Sequence, residues 1–327
     1  MSFLACRVFD QPNVHHRLVQ MEASELSDGE VLIKVDYSSI NYKDALAASG
    51  RGKIMKSFPL NAGIDLAGTI ESSGDYTFQV GQKVLVNGCG IGEQHDGGLA
   101  QYARVKNEWV IPLPNTYDTK QAMIIGTAGF TAALAIYRMQ QNGQTPDKGP
   151  IVVTGASGGV GSFAVNLLSK MGYQTIALTS RETMVDYLLD LGASQVTTLD
   201  KLELSEKPLA KALYGGAIDN IGGETLSKII AHTNLWGNIA SIGLADSPKL
   251  QAMVFPFILR GVSLLGISST NCPMDLRTKI WHQFGNELPL PDFDKILSKE
   301  IPLAEVSPYF DELIDKKHYG RLIVNCQ

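Results

Sequence analysis

The chain has 327 residues, 44% hydrophobic and 19% charged, with a formal charge of −5. That composition describes a soluble globular protein long enough for two domains, each with its own core. With no basic surplus, nucleic acid is not the expected principal partner. The apolar stretch at the N-terminus is interrupted by Cys6 and Arg7 and is too short for a signal-peptide core.

The front of the chain reads β-rich. Val31–Tyr37 alternates apolar and polar residues, Gly63–Glu71 and Val84–Val86 are strand-like, and the glycine-rich loop Gly88–Gly98 follows. A small β-barrel-like domain is expected over residues 1–122. The mostly apolar run Ala122–Tyr137 contains Gly126, Thr127, Gly129 and Thr131. It is short for a membrane span and is read as a buried helix, so no membrane partner is expected. The cysteines Cys6, Cys89, Cys272 and Cys326 are scattered, with no Cys-x-x-Cys pair. They suggest no disulfide framework and fit a reducing cytoplasm.

From about Thr119 the pattern alternates helix and strand, the signature of a parallel sheet with helices on both faces. Residues 151–161 read Ile-Val-Val-Thr-Gly-Ala-Ser-Gly-Gly-Val-Gly. A β-branched run feeds a glycine turn, and Phe163, Val165, Leu167, Leu168 and Met171 then give Ser162–Met171 an apolar helical face. A pyrophosphate resting on a helix N-terminus needs close backbone approach and no side chains. Gly158 fits that approach, Gly161 permits tight helix–strand packing, and Ala156 stands in place of the first glycine. In this setting a dinucleotide site is expected, with a purely structural turn as the alternative.

About twenty residues further on, an acid would read the ribose of NAD and a cation the extra phosphate of NADP. Ser180 and Arg181 stand there, which favours NADPH, although Glu182 follows immediately. Glu182 fits equally as an early acid of a helix over Glu182–Leu191. Later strands are expected at Gln174–Thr179, Gln195–Leu199, Ala217–Ile221, Asn238–Gly243 and Ser263–Ser268. Helices are expected at Lys207–Tyr214, Glu224–Asn234 and Met274–Phe284. The tail reads as a helix over Ala304–Lys316 and a strand at Arg321–Asn325, returning to the first domain.

This order resembles the medium-chain dehydrogenase/reductase superfamily over essentially the whole chain. Asn41-Tyr42-Lys43-Asp44, Gly63-Ile64-Asp65-Leu66-Ala67-Gly68, Gly126-Thr127-Ala128-Gly129-Phe130-Thr131 and Thr154–Gly161 resemble its quinone oxidoreductase branch. Asn41–Leu46, Ala217-Ile218-Asp219, Pro256–Arg260 and Gly320-Arg321 are similar to the bacterial acrylyl-CoA reductase group. The resemblance implies an α/β fold: a GroES-like β-rich catalytic domain (1–122 and 290–327) and a doubly wound, parallel-sheet Rossmann domain (123–289) binding NADP.

Zinc-dependent members carry a catalytic Cys, a His beside Gly-Glu, and four closely spaced cysteines. None of these stands at the matching places here, so a metal-free protein is expected. His95, Asp44, Asp65 and Cys89 lack a recognisable ligand spacing; His95 is read as a solvated loop residue, and His15 and His16 as surface residues. Without a Lewis acid, hydride addition to a C=C bond conjugated to a carbonyl is the favoured chemistry, with donors stabilising the enolate oxygen.

The resemblance places Tyr42 beside the nicotinamide as a hydrogen-bond or proton donor. Asn41 would fix the backbone or donate to substrate, and Asp44 would cap the following helix, expected to begin near Ala45, or take part in catalysis. Lys43 reads as a solvated charge. By motif matching, Ser157, Gly158, Gly159 and Val160 would cradle the pyrophosphate. Thr127, Asn220, Ser241, Gly243, Leu265 and Ile267 would line the nicotinamide end. Arg321 would reach a cofactor or CoA phosphate, or stand as a rim charge. Arg51, Lys53 and Lys56 would meet CoA phosphates or form a solvated face. The edge strand near Leu264–Ile267 implies a homodimer. The substrate reading is an enoyl-CoA, with a quinone or a non-catalytic NADPH sensor as alternatives.

Overall fold

The computed structural model describes residues 1–74, 76–202, 204–205 and 207–327. It divides into two compact units. One comprises Met1–Thr127, Ser269–His282 and Leu297–Gln327; the other comprises Ala128–Ser268 and Gln283–Ile296.

In the first unit, one sheet has the order Leu297–Pro302, Arg321–Asn325, Val31–Ser39, Asp65–Ser73, Lys83–Asn87, Ile111–Pro112, with Tyr102–Val105 also paired to Val31–Ser39. Alternate residues of these strands, among them Ile33, Val35, Ile70 and Val84, close the core with Val324 and Phe310 from the returning tail. Several strands here are absent from the sequence reading, Tyr102–Val105 and Ile111–Pro112 among them. Ser2–Phe9 pairs antiparallel with His15–Glu22 over its whole length. The His15–Glu22 stretch, His-His-Arg-Leu-Val-Gln-Met-Glu, has no clean alternation, and its partner's buried Phe3, Ala5, Cys6 and Val8 supply the anchoring instead. Leu297–Pro302 likewise pairs in parallel with the terminal strand.

His95 is not solvated. It is 7% exposed, packs edge-on to Trp109, and its Nε2 lies 2.8 Å from the Asp28 carbonyl. Beside it, buried Asp96 accepts from Arg7 Nη1 (3.2 Å), Asn61 N (2.8 Å), and Ser27 N and Oγ. The Gly88–Gly98 loop is thereby fixed. His16 is only partly exposed and meets the ring of Phe310.

Ser269–His282 also belongs to this unit, although the sequence assigned 123–289 to the nucleotide domain. The reason is a fully buried guanidinium. Arg277 donates to the carbonyls of Asn87 (2.7 Å), Ser269 and Thr270, and Trp281 Nε1 donates to Asn87 Oδ1.

The second unit holds a six-stranded, all-parallel sheet. Its order is Gln195–Thr197, Thr175–Leu178, Ile151–Thr154, Tyr214–Asp219, Thr233–Ser241, Ser263–Gly266. The order reverses between Ile151–Thr154 and Tyr214–Asp219, and the crevice outside the carboxyl ends at such a switch point is where open α/β sheets bind ligands. The expected helix at Lys207–Tyr214 does not form. Ala210 N and Leu213 N donate instead to Ala231 O and His232 O, and Arg260 binds the carbonyls of Ala210, Ala231 and Thr233. The segment is thus held as irregular chain, bent at Pro208 and Leu209, and its strand begins early, at Tyr214. Glu182–Leu191 is split into a 3-10 turn, Glu182–Met184, and a short helix, Val185–Asp190.

The Thr119–Gln141 helix is long and apolar enough to cross a membrane, yet 89% of its most apolar window is buried inside the protein. At Gly126 the helix breaks, with φ 48° and ψ −158°.

Candidate active site

In the first unit, the strand Val31–Ser39 ends two residues before Asn41, the cap of the short helix Tyr42–Ala48. Asn41 and Asp44 form a reciprocal capping box: Asp44 Oδ2 accepts from Asn41 N at 2.8 Å. The helix thus begins at Tyr42 rather than near Ala45, with Asn41 as its cap and Asp44 in its first turn closing the box. Its other oxygen accepts from Ile64 N at 3.0 Å.

Asp65, fully buried at the head of its strand, is the hub of this site. Its oxygens accept from Ser39 Oγ (2.6 Å), Asn41 Nδ2 (3.0 Å) and Thr127 N (2.8 Å). Arg321 completes the network, donating to Ser39 Oγ (2.6 Å), Asn41 Oδ1 (3.0 Å) and Ile124 O (2.9 Å). Arg321 is 2% exposed, so it is neither a rim charge nor directed at a phosphate. Its donors are spent inside the unit because the buried carboxylates of Asp65 and Asp44 require a cation.

Gly126 makes the convergence possible. A Cβ there would lie 2.5 Å from Arg321 Nη2, 2.9 Å from Asp65 Oδ2 and 3.1 Å from Ser39 Oγ. The sequence reading missed Asp65 and Ser39 as members of the site. The available signal was an acid heading an otherwise apolar strand, Asp65-Leu66-Ala67.

Tyr42, the first residue of the capped helix, is 44% exposed. Next to it, Lys43 is not merely solvated: Nζ reaches Glu93 Oε1 (2.8 Å) and Thr270 Oγ1 (3.0 Å).

Burial and the neighbouring Asp65 carboxylate push Asp44 up to about 7, against the pull of its N–H donors. The folded state thus keeps the Asp44 proton to higher pH than the unfolded chain, whose aspartates titrate near ~4. The associated stability is complete below that value and is lost as pH rises towards about 7. A urea midpoint lower at about pH 8 than at about pH 5 is expected, with the drop reduced in Asp44→Ala. Equal drops in both proteins would contradict it.

In the second unit the glycine-rich turn has the geometry of a cradle. Gly155, at φ +56°, takes the tight turn, so the turn glycine precedes Ala156 rather than being replaced by it. The helix Gly159–Lys170 starts from Gly158 with no side-chain cap. A Cβ on Gly158 would meet only Gly155 O, at 3.4 Å, so internal packing does not demand glycine there, and the space over the helix start is open to a ligand. Gly161 differs: its Cβ would lie 2.4 Å from Gly155 O, so it is required for helix–strand packing. Val160 follows in the first turn, partly buried.

Arg181 Nη2 donates to Ser157 Oγ at 2.8 Å, which places the guanidinium at the cradle, next to exposed Ser180. Glu182 is drawn to Lys201 at 3.0 Å, which answers its discordance in the sequence. At the neighbouring strand ends, Asn220 Nδ2 donates to Thr154 O (2.7 Å), and Thr154 Oγ1 donates to buried Asp219 (2.8 Å). Gly243 packs where a Cβ would lie 2.3 Å from Asn220 O. Ile267 N donates to Ser241 O (3.0 Å), and Leu265 pairs with Ala240 on the edge strand. An open helix N-terminus, a cation beside it and fixed polar groups along the carboxyl edge fit a phosphorylated dinucleotide.

The Alcohol dehydrogenase GroES-like domain family matches residues 27–115, and the Zinc-binding dehydrogenase family matches 159–284. Among the described residues, no group of three or more His, Cys, Asp or Glu side chains is placed to hold a metal ion. The chain is 46% identical over 304 residues to "Probable acrylyl-CoA reductase AcuI" of Escherichia coli, covering 93% of each chain. It is 42% identical to "Putative quinone oxidoreductase YhfP" of Bacillus subtilis, covering 96% of this chain and 95% of the relative. The structure of E. coli K-12 YhdH with bound NADPH superposes with a TM-score of 0.95 at 43% identity, covering 99% of this chain and 100% of that one. That of Bacillus subtilis YhfP with NAD bound gives 0.95 at 41% identity, covering 99% of both.

Proposed function

The chain belongs to the medium-chain dehydrogenase/reductase family, in the branch of the acrylyl-CoA reductases and quinone oxidoreductases, and on that premise we propose that it reduces acrylyl-CoA to propanoyl-CoA with NADPH. The observation that carries the cofactor assignment is Arg181 resting on Ser157 at the open start of the Gly159–Lys170 helix. Amides of Gly158, Gly159 and Val160 would hold the pyrophosphate, and Ser180 with Arg181 the 2′-phosphate. Asn220, Ser241, Gly243, Leu265 and Ile267 lie along the edge assigned to the nicotinamide ribose and carboxamide. When bound, the reduced nicotinamide supplies a hydride to the β-carbon of the substrate.

The protein's own contribution is to place donors where charge develops on the acyl oxygen and to deliver a proton to the α-carbon. Tyr42 is suited to this. Its phenol is exposed, while the helix that carries it is locked by the Asn41–Asp44–Asp65–Arg321 network. Tyr42→Phe is expected to lower kcat with acrylyl-CoA by about a hundredfold. An unchanged kcat across pH would reject the donor role.

The test of the reading compares NADPH consumption with acrylyl-CoA, crotonyl-CoA and a benzoquinone. The highest kcat/KM for acrylyl-CoA supports it. Preference for the benzoquinone, the activity in the name of the Bacillus relative, would replace it. Tight NADPH binding without turnover would favour a sensor.

The reading further assigns the protein to the cytoplasm, consistent with four free thiols, and makes it a homodimer. Ser263–Gly266 pairs with Thr233–Ser241 on one side, and Trp236, Val254, Ile258 and Leu259 are each more than half exposed. Such an edge beside such a patch calls for a partner strand. Sedimentation at the mass of a monomer would contradict this.

A further inference from the structure

Along the outer side of the Gly223–His232 helix runs a groove that the cofactor cradle does not use. Its cavity is about 380 Å³, within the usual range of small-ligand sites. Three separate segments bring cations to it: Lys207 from the irregular stretch before Tyr214–Asp219, Lys228 from the helix, and Lys249 from the loop after Thr233–Ser241. A second cavity, sharing Ser205 and Lys207 with the first, adds Lys211. Among the described lining residues the only acid is Glu224, which is 2.6 Å from Lys228.

The remaining lining is of two kinds. Ser205, Ser227, Ser247 and Gln251 are polar, while Ile230, Ala231, Met253 and Pro256 form an apolar wall. The walls are fixed. Gln251 N donates to Ser227 Oγ (3.1 Å), Ser247 N to Ile221 O (3.2 Å), and Ser205 N to Nε2 of buried His232 (3.2 Å). Through Ile221 and Ser247 the groove adjoins Asn220 and Gly243, at the carboxyl edge of the sheet. Ammonium groups from several segments facing one apolar wall suit a ligand that carries phosphates on a flat base.

We infer that this groove binds the 3′-phosphorylated ADP end of the acyl-CoA substrate, with Lys207 and Lys249 meeting its phosphates and the wall formed by Met253 and Pro256 its adenine. The inference rests on the acyl-CoA reading above. It places CoA recognition in this groove rather than at the Arg51–Lys56 loop that the sequence also offered.

The decisive variant is Lys207→Gln/Lys249→Gln, at two exposed positions. KM for acrylyl-CoA should rise about tenfold relative to KM for the truncated thioester S-acrylyl-N-acetylcysteamine, because two phosphate contacts are lost. Equal changes for the two thioesters would overturn the inference. In parallel, calorimetry of the NADPH-saturated protein with adenosine 3′,5′-bisphosphate should show binding that the double variant weakens. No binding, or binding indifferent to the substitutions, would overturn it, as would equal competition by inorganic phosphate. If neither thioester is reduced while a benzoquinone is, the substrate reading fails by itself, and the calorimetric arm still decides the groove.

Discussion

Arg321→Met is expected to destabilise the protein by about 3–5 kcal/mol, because it strips the cation from a buried network and leaves its carboxylates uncompensated. For a chain of this size that corresponds to a fall in Tm of roughly 5 °C. The cause is electrostatic more than steric. Burial pulls the guanidinium down while Asp65 and Asp44 pull it up, the arrangement of a charge kept inside by its neighbours. Adding Asp65→Asn to Arg321→Met should therefore recover about 1 kcal/mol or more of the loss, as coupled sites do. Thermal melts of the two single variants and the double variant decide the matter. If the double variant loses the full sum of the two single losses, the carboxylate and the guanidinium are not coupled. Gly126→Ala should act on the same point, since its Cβ would lie 2.5 Å from Arg321 Nη2 on a backbone at φ +48°.

Arg181→Ala is expected to raise KM for NADPH by about a hundredfold while altering KM for NADH by less than about threefold. A guanidinium on a phosphate dianion makes charge-assisted hydrogen bonds of about 1.5–3 kcal/mol, and NADH has no phosphate at that place. Glu182 does not compensate. Its carboxylate is paired with Lys201, both side chains being mostly exposed, and such a surface pair contributes little either way. Steady-state kinetics with both cofactors measures the effect. Equal losses for NADPH and NADH would remove the phosphate-reading role from Arg181 and leave it a support for Ser157.

Local signals and long-range ones divide cleanly in this chain. The sequence by itself determined the Ile151–Thr154 strand, the glycine turn, the helix after it and the terminal strand Arg321–Asn325. In each, periodicity and glycine placement act over a few neighbouring residues, so the pattern is complete within a short window. The helix after Asn41 was legible in part: a start near Ala45 was expected, whereas the reciprocal bonding of Asn41 and Asp44 begins it three residues earlier, at Tyr42.

What only the tertiary structure decided involves partners far apart in the chain. Lys207–Tyr214 gave up its helix to carbonyls near residues 231–232, and His15–Glu22 became a strand through Ser2–Phe9. Arg321 went inside because Asp65, some 250 residues earlier, left a buried carboxylate in need of a counter-charge. A desolvated charge takes its partner from wherever the fold brings one near. No window of sequence around Arg321 contains that information.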